Sequence, residues 1–191
     1  MTKKIVIVDD EPITRMDIRD ILEAEGYDVV GEAADGFSAI ELCKKHNPDL
    51  VIMDIQMPIL DGIKASKRIT MENLAGGILL LTAFNDSMFI EKAKSVGAFG
   101  YMVKPLDEKS FIPTIEMNLA KVEQFKKLKK DLDTAIEKLD ERKLIERAKG
   151  ILMRELKIDE EESYKNIRKL SMDKRCSMVD IAKTVIIAYE E

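Results

Sequence analysis

Along the first part of the chain, short apolar runs alternate with stretches of helical spacing. The runs are rich in strand-forming residues and lie at 4–8, 27–31, 50–53, 78–82 and 100–103. Runs such as IVIV and LVIM are apolar without alternation, which indicates strands buried on both faces, as in a parallel sheet covered by helices. We therefore predict an α/β domain of the doubly wound, flavodoxin-like type with a five-stranded parallel sheet.

From about residue 110 the strand signal disappears and apolar residues follow a heptad spacing. They are Ile115, Val122, Phe125, Leu132, Ile136 and Leu139. Asn118 and Lys129 interrupt this register. The pattern predicts a long helix with a coiled-coil seam, which forms a linker over residues 113–142. The alternative is an amphipathic helix that packs on its own chain.

Three shorter helices are predicted near 141–156, 160–172 and 177–189, with Asp159 and Ser177 as caps of the last two. Each has one apolar stripe: Leu144, Ala148, Ile151 and Leu152; Tyr164, Ile167 and Leu170; Ile181, Val185 and Ile186. Three such stripes can close a small all-α bundle. The predicted domains are therefore residues 1–120, the linker, and a three-helix bundle over 141–191.

Charge divides the chain in the same way. Residues 1–120 carry 13 Lys/Arg and 20 Asp/Glu, a balance of −7, whereas the rest carries 18 and 16, a balance of +2. This asymmetry favours separate tasks for the two parts. The two cysteines form no CxxC pair, which favours reduced packing thiols over a zinc site. No apolar run approaches the roughly 18 residues of a membrane span, so we expect a cytoplasmic protein.

Acidic residues follow two of the predicted strands. Asp9 and Asp10 end the first strand and Asp54 ends the third. Because functional groups gather at the carboxyl ends of parallel strands, these carboxylates should meet. They would repel one another, and burial would raise their pKa values unless a cation is present. Carboxylates, carbonyls and waters suit Mg²⁺, so the cluster predicts a magnesium site rather than general acid–base chemistry.

A hydroxyl and an ammonium group complete the pattern. Thr82 closes the fourth strand and Lys104 closes the fifth. A lysine in a carboxylate pocket can neutralise a phosphate as a point charge. A carboxylate nucleophile, Mg²⁺, a hydroxyl and a lysine are together the parts needed to accept a phosphoryl group. Each residue alone is weak support, because Asp–Asp pairs often cap helices and Lys–Pro is common in loops.

The segments IVIVDDEP, VIMDIQMPILDG, LLLTA and GAFGYMVKPL resemble the receiver domain of bacterial response regulators, over about residues 1–120. The resemblance implies that Asp54 is the phosphoacceptor for a sensor histidine kinase. It also implies that Mg²⁺ is held by Asp9, Asp10, Asp54 and the backbone carbonyl of Gln56. The chain would then be a phosphoacceptor rather than an enzyme, with at most slow self-dephosphorylation.

The same resemblance implies a conformational switch. Lys104 would contact the phosphoryl oxygens, Thr82 would be the switch hydroxyl and Tyr101 the switch aromatic, and Pro105 would be cis. Movement of Thr82 would let Tyr101 turn inward and change the surface formed by the fifth strand and its flanking helices. In relatives that surface mediates dimerisation. We expect a homodimer when the chain is phosphorylated, with the two output domains paired through the linker.

The rear helices carry basic residues, of which Lys143, Arg147 and Arg154 share one helix face. Such a stripe fits backbone phosphates. Charge alone nevertheless favours a solvated face, since Glu146 and Glu155 are neighbours. A helix-turn-helix signature is absent, and the last helix has one Lys and too many apolar and acidic residues for a major-groove reader.

The stretch from ERKLIERAKGILMREL to the end resembles the ANTAR domain, an RNA-binding antitermination module, over roughly residues 135–190. The matching residues are Ala148, Lys149, Gly150, Leu152, Met153, Tyr164, Arg168, Met172, Arg175 and Ala182. The resemblance implies binding to paired hairpins of a leader mRNA, which prevents transcription termination. The candidate RNA contacts are Lys149, Arg154, Arg168 and Arg175, whereas Tyr164 is expected in the core. The architecture closely resembles that of ethanolamine-utilisation antiterminator regulators of Gram-positive bacteria.

Three other functions compete with this interpretation. A DNA-binding transcription factor would share the receiver domain, and a protein-binding output would bind neither nucleic acid. A phosphatase with an aspartate nucleophile needs a second carboxylate two residues after that nucleophile. Gln56 occupies this position, which disfavours the phosphatase.

Overall fold

The computed structural model describes residues 2–83 and 96–190, and the chain divides into two compact units with the boundary between Lys127 and Leu128. The first unit contains five strands: β1 (Lys4–Val8), β2 (Asp28–Ala33), β3 (Leu50–Asp54), β4 (Ile78–Thr82) and β5 (Gly100–Val103). All neighbouring strands are parallel, in the order β2-β1-β3-β4-β5. The predicted five-stranded, doubly wound sheet is confirmed.

Three helices connect the first strands: α1 (Pro12–Ala24), α2 (Gly36–His46) and α3 (Gly62–Met71). Asp35 caps α2 by accepting from the amides of Phe37 and Ser38, and Asp61 caps α3 in the same way. Gly26 follows the C-cap of α1 and has φ +81°. Glycine favours this left-handed conformation, which commonly terminates a helix. The helix predicted between β4 and β5 falls on residues 84–95, which lie outside the described residues.

The three central strands are buried on both faces. One face packs with α2 and α3 around Val6, Val8, Val51, Met53 and Leu80. The opposite face packs around Ile5, Ile7, Ile52, Leu79 and Leu81 with Ile18 and Leu22 of α1. Full burial of such a side chain contributes about 1.5–3 kcal/mol. This two-sided burial explains why the strands lack alternation in the sequence.

A single helix, α4 (Glu108–Leu156), follows the sheet. Its first turns bury Phe111, Ile115 and Leu119 against the sheet, and Val122 is also buried. The break predicted near residue 141 is absent, so that prediction was wrong. No glycine or proline interrupts residues 127–149, and the Lys143 ammonium pairs with Asp140 at 2.9 Å within the helix. Nothing local therefore stops the helix there.

In the second unit the C-terminal part of α4 packs against α5 (Glu160–Lys174) and α6 (Met178–Glu190). Its core consists of Ala148, Ile151, Leu152, Ile167, Ala182 and Val185. Asp159 caps α5 by accepting from the Glu162 amide at 2.8 Å. Ser177 caps α6 by accepting from the Asp180 amide at 3.1 Å. Both predicted caps are confirmed. None of the helices among the described residues is long and apolar enough to cross a membrane.

The apolar stripe predicted for α5 is partly wrong. Tyr164 and Leu170 are each 42% exposed and lie outside the core. The buried face of α5 instead carries Ser163 and Ile167. The small Ser163 side chain lets α5 approach α4 closely, and its hydroxyl donates to the Lys149 carbonyl at 3.3 Å. The large apolar residues of α5 therefore predicted the wrong buried face for this helix.

Substitution of Gly62 by alanine tests how tightly the segment after β3 is held. A Cβ atom at Gly62 would lie 2.0 Å from the Asp54 carbonyl oxygen, so the backbone would have to move. We expect Gly62→Ala to destabilise the first unit by about 1–3 kcal/mol, the usual cost of overpacking. Urea denaturation followed by circular dichroism measures the change.

The matched control is Gly150→Ala, because a Cβ atom at Gly150 would meet nothing within 4 Å. Alanine in a helix interior is more favourable than glycine, so this variant should be about 0.5–1 kcal/mol more stable in the second unit. Wild-type stability of Gly62→Ala would contradict the close approach.

Candidate functional site

The carboxyl ends of the central strands bring together residues that are far apart in the sequence. Asp9 and Asp10 follow β1, Asp54 ends β3, and Lys104 follows β5. Since β1 and β3 are neighbours in a parallel sheet, their ends lie side by side. One carboxylate oxygen from each of the three aspartates lies within 4.8 Å of the others. We call these residues the acidic pocket.

The Lys104 ammonium links two of the carboxylates. Its Nζ atom donates to Asp9 Oδ2 at 2.6 Å and to Asp54 Oδ2 at 2.8 Å. Asp9 and Asp54 are buried, whereas Asp10 is exposed. The pocket is therefore closed on the sheet side and open towards solvent at Asp10. An ion or a phosphoryl group can approach from that side.

Burial and charge oppose each other in the pocket. Burial raises the pKa of Asp9, and its hydrogen bonds with Lys104 and with the Glu11 amide only partly offset this. Burial lowers the pKa of the Lys104 ammonium, but its hydrogen bonds to Asp54 and Asp9 outweigh burial, so its pKa is raised. Lys104 therefore stays positively charged near neutral pH. The charged form of Asp9 is held at a cost in free energy, which a bound cation would reduce.

The donor set fits a hard divalent cation. Three carboxylates supply only oxygen ligands, which Mg²⁺ prefers, and the exposed side of the pocket leaves room for water ligands. The Gln56 amide donates to Asp54 Oδ1 at 3.2 Å, so the Gln56 peptide lies beside the pocket. The three aspartates predicted to hold Mg²⁺ therefore lie close enough together to share one ion.

Thr82 and Tyr101 lie on the two strands next to the pocket. Thr82 is buried at the end of β4, one residue beyond the position level with Asp54. Tyr101 lies on the edge strand β5 and is 41% exposed. The Lys104–Pro105 peptide bond is cis, as predicted.

The four predicted RNA-contacting residues of the second unit differ in their surroundings. Arg168 and Arg175 are exposed and have no ion-pair partner among the residues that the structure describes. Arg154 is exposed and pairs with Glu155 at 2.9 Å. Lys149, in contrast, is only 6% exposed. These surroundings favour the three arginines over Lys149 as contacts for a large polyanion.

Lys149 is held by two carboxylates. Its ammonium donates to both Glu146 oxygens at 2.9–3.0 Å and to Glu160 Oε1 at 2.7 Å. These bonds raise the pKa of Lys149 and lower that of Glu160. Glu160 begins α5, so the lysine ties α4 to α5 at their junction. Tyr164 and Glu161 flank it on the open side.

Sequence reasoning missed Arg15. The guanidinium of this residue, which lies in the first turn of α1, donates to the Asp9 carbonyl at 2.7 Å and to Glu32 at 3.2 Å. The one feature of the sequence that links Arg15 to the pocket is its position shortly after the Asp9–Asp10 pair. No spacing rule distinguishes it from any other surface arginine of a helix.

Two family models match the chain. The response regulator receiver domain matches residues 5–116, and the ANTAR domain matches residues 133–186. The first match covers the acidic pocket and the second covers the bundle.

Individual proteins agree with these matches. The chain is 40% identical over 184 residues to the transcriptional regulatory protein PdtaR of Mycobacterium tuberculosis, covering 96% of this chain and 89% of that protein. It is 40% identical to the chemotaxis protein CheY of Bacillus subtilis over 119 residues, 62% of this chain and 99% of CheY. A solved LuxR-family two-component response regulator from Aurantimonas is 39% identical with a TM-score of 0.59, covering 63% and 87% of the two chains.

Removal of pocket carboxylates should abolish binding of Mg²⁺. The double variant Asp9→Asn, Asp10→Asn keeps the side-chain volumes but removes two of the three charges, so we expect no detectable binding by isothermal titration calorimetry. In the wild-type chain the affinity should fall as the pH is lowered, because a proton competes for Asp9, whose pKa is raised.

The control variant is Asp49→Asn. Asp49 is also acidic and pairs with Lys126 at 2.6 Å, but it precedes β3 at the opposite end of that strand from Asp54. Its loss should leave Mg²⁺ affinity unchanged. Equal Mg²⁺ affinity in the double variant and the wild-type chain would show that the ion binds elsewhere.

Proposed function

The chain belongs to the response regulators, with a receiver domain followed by an ANTAR domain, and from this membership we propose that phosphorylation of Asp54 by a sensor histidine kinase makes it an RNA-binding antiterminator. The observation that carries the proposal is the acidic pocket, where Lys104 contacts both Asp9 and Asp54. A binding module of the ANTAR family follows it on the same chain. The pocket supplies the input and the bundle supplies the output.

Phosphoryl transfer needs little beyond positioning and charge neutralisation. An Asp54 carboxylate oxygen attacks the phosphorus of a phosphohistidine; the new P–O bond forms as the P–N bond breaks, and the electron pair returns to the imidazole. Lys104, 2.8 Å from Asp54 Oδ2, can hold a phosphoryl oxygen after transfer. Mg²⁺ held by Asp9, Asp10, Asp54 and the Gln56 carbonyl would neutralise the other oxygens.

The acyl phosphate provides the switch. It carries about two negative charges where the free carboxylate carries one, and it brings new acceptor oxygens to Asp54. The Thr82 hydroxyl, at the end of the neighbouring strand, moves towards these oxygens. The space it leaves lets Tyr101 turn from its exposed position on β5 towards the sheet. The surface around β5 changes and becomes able to bind a second receiver domain.

An apolar stripe on α4 supports dimerisation. We define the seam as Phe125, Leu132, Ile136 and Leu139, which are 48–60% exposed although they are large and apolar. The exposure of the last three disfavours the alternative of a helix that packs on its own chain. Phe125 also packs on Phe99, with ring centroids 5.1 Å apart. Lys129 interrupts the seam, and polar residues at such positions reduce coiled-coil stability. The seam alone is therefore weak, and contacts between phosphorylated receivers supply the rest.

The dimer would hold two bundles for two RNA hairpins. Once one hairpin is bound, the second binds intramolecularly, which raises the overall affinity well above that of one contact. Hairpin loops expose unstacked bases that side chains can reach. The exposed Arg154, Arg168 and Arg175 are the proposed contacts, and Lys149 supports the α4–α5 junction. Binding would prevent formation of a terminator stem in a leader mRNA.

Gel shifts with beryllofluoride and Mg²⁺, which mimic the acyl phosphate, test this function. The probes are a two-hairpin leader RNA from an ethanolamine-utilisation operon, a one-hairpin truncation and a DNA duplex of equal length. We expect tight binding only to the two-hairpin RNA and only in the activated chain. Asp54→Ala should remove the response to beryllofluoride because the acceptor oxygen is lost.

Two results would change the conclusion. Equal or tighter binding to the DNA duplex would favour a DNA-binding transcription factor. Binding to none of the probes, with beryllofluoride still bound at Asp54, would contradict the choice of the ethanolamine-utilisation leader and favour either another leader RNA or a protein-binding output.

A charge in the seam should prevent dimerisation. We expect Leu132→Lys to stay monomeric in multi-angle light scattering with beryllofluoride, because two buried ammonium groups would face each other. Thr134→Lys adds the same charge on the opposite side of the helix and should dimerise like the wild-type chain. If Leu132→Lys dimerised at the same protein concentration as the wild-type chain, the seam would not be the dimer contact.

A further inference from the structure

We propose that Arg15 is a positioning residue for the acidic pocket, which fixes the peptide between Asp9 and Asp10 and thereby the direction of the exposed Asp10 ligand. This inference rests on the proposed function of the pocket as a magnesium site. Arg15 itself contacts none of the three carboxylates. It acts through the backbone that carries two of them.

The Arg15 guanidinium forms a fork, in which two of its nitrogens donate to two different partners. Arg15 Nη1 donates to the Asp9 carbonyl at 2.7 Å, and Arg15 Nε donates to Glu32 Oε2 at 3.2 Å. Arg19, one helical turn later, pairs with the other Glu32 oxygen. Glu32 lies on β2, the strand next to β1. The guanidinium thus joins α1, β2 and the end of β1 at one point.

The contact is protected from solvent more than an ordinary surface ion pair. The side chains of Arg15 and Glu32 are 18% and 21% exposed. Partly buried pairs are screened less than exposed ones, and the planar guanidinium holds its partners in a fixed geometry. A lysine would supply a point charge without this fork.

The bonded carbonyl belongs to the peptide unit that leads into Asp10. The carbonyl of Asp9 and the amide of Asp10 share one rigid plane, so a bond to the carbonyl fixes both. The Asp9 amide is fixed separately, because it donates to the Ala33 carbonyl at 3.1 Å. The backbone of Asp9 is therefore held on both sides, by β2 and by Arg15.

Asp10 depends on this backbone more than Asp9 does. The Asp9 carboxylate is held by Lys104 and by the Glu11 amide. The Asp10 carboxylate has no hydrogen bond or ion pair to any residue within 2–83 or 96–190. Its place within 4.8 Å of the other ligands is set by the chain alone. Loss of Arg15 should release Asp10 while Lys104 still holds Asp9 and Asp54.

The test compares Mg²⁺ affinity across full-length variants by calorimetry. Arg15→Met, which keeps an apolar stem but no donor, should raise the Kd for Mg²⁺ about tenfold, the scale of effects from residues that orient metal ligands. Arg15→Lys should recover part of the loss, since an ammonium can still reach the Asp9 carbonyl. Arg68→Met is the control, because it removes an arginine–glutamate pair on α3, between Arg68 and Glu72, that does not touch the pocket.

A second readout separates positioning from general destabilisation. In the magnesium-free chain, Arg15→Met should shift the backbone amide resonance of Asp10, and Glu32→Gln, which loosens the fork, should shift it less. Wild-type Mg²⁺ affinity in Arg15→Met would overturn the inference, and so would a loss of melting temperature with no change in Kd. Absence of Mg²⁺ binding by the wild-type chain would overturn the proposed magnesium site as well.

Discussion

Mutual repulsion of three carboxylates at one edge of a parallel sheet is the constraint on which this protein depends. The fold enforces their approach, because β1 and β3 are neighbours and both end in aspartate. Lys104 provides one positive charge against three negative ones. The pKa of Asp9 is raised, mainly because the carboxylate is buried and to a smaller extent because Asp54 lies beside it. The pocket therefore favours a cation, and we propose that it accepts a phosphoryl group when a cation is bound.

The long helix α4 serves two environments in succession. Its first part is a core element of the sheet, with Phe111 and Ile115 fully buried. Between Val122 and Leu139 its apolar residues are exposed and form the seam, and its last turns are buried in the core of the second unit. The pairs Lys3–Glu123 and Lys126–Asp49 lie where the helix leaves the sheet. Solvent screens exposed pairs of this kind, so the buried residues contribute more than these pairs to holding the helix on the sheet.

Strand positions and the pocket were predictable because their signals are strong and independent. Unalternating runs such as ILLLT are satisfied by two-sided burial, and Asp54 and Thr82 each end such a run, whereas Lys104 follows the edge strand β5. The end of helix α4 was not predictable, because two amphipathic segments can follow each other in one helix when no glycine or proline separates them. The break expected near residue 141 is therefore absent. The prediction of the buried face of α5 was wrong for a different reason. Ser163 is small and polar, and it packs at a point where close approach of the helices matters more than apolar area.

The role of Lys149 shows the limit of reading charge from a motif. Its charge suggested a contact for RNA, yet its ammonium is enclosed by Glu146 and Glu160. A sequence gives the charge but not the partners that neutralise it. The same limit hid Arg15, whose guanidinium is defined by a backbone carbonyl and by Glu32 on another strand.

Mapping of the phosphorylated residue would establish whether Asp54 is the phosphoacceptor. The full chain is incubated with acetyl phosphate and Mg²⁺, the acyl phosphate is trapped by borohydride reduction, and the peptides are sequenced by mass spectrometry. We expect a modification at Asp54 that requires Mg²⁺ and disappears in Asp54→Asn. A modification confined to another residue, or equal labelling without Mg²⁺, would contradict this expectation.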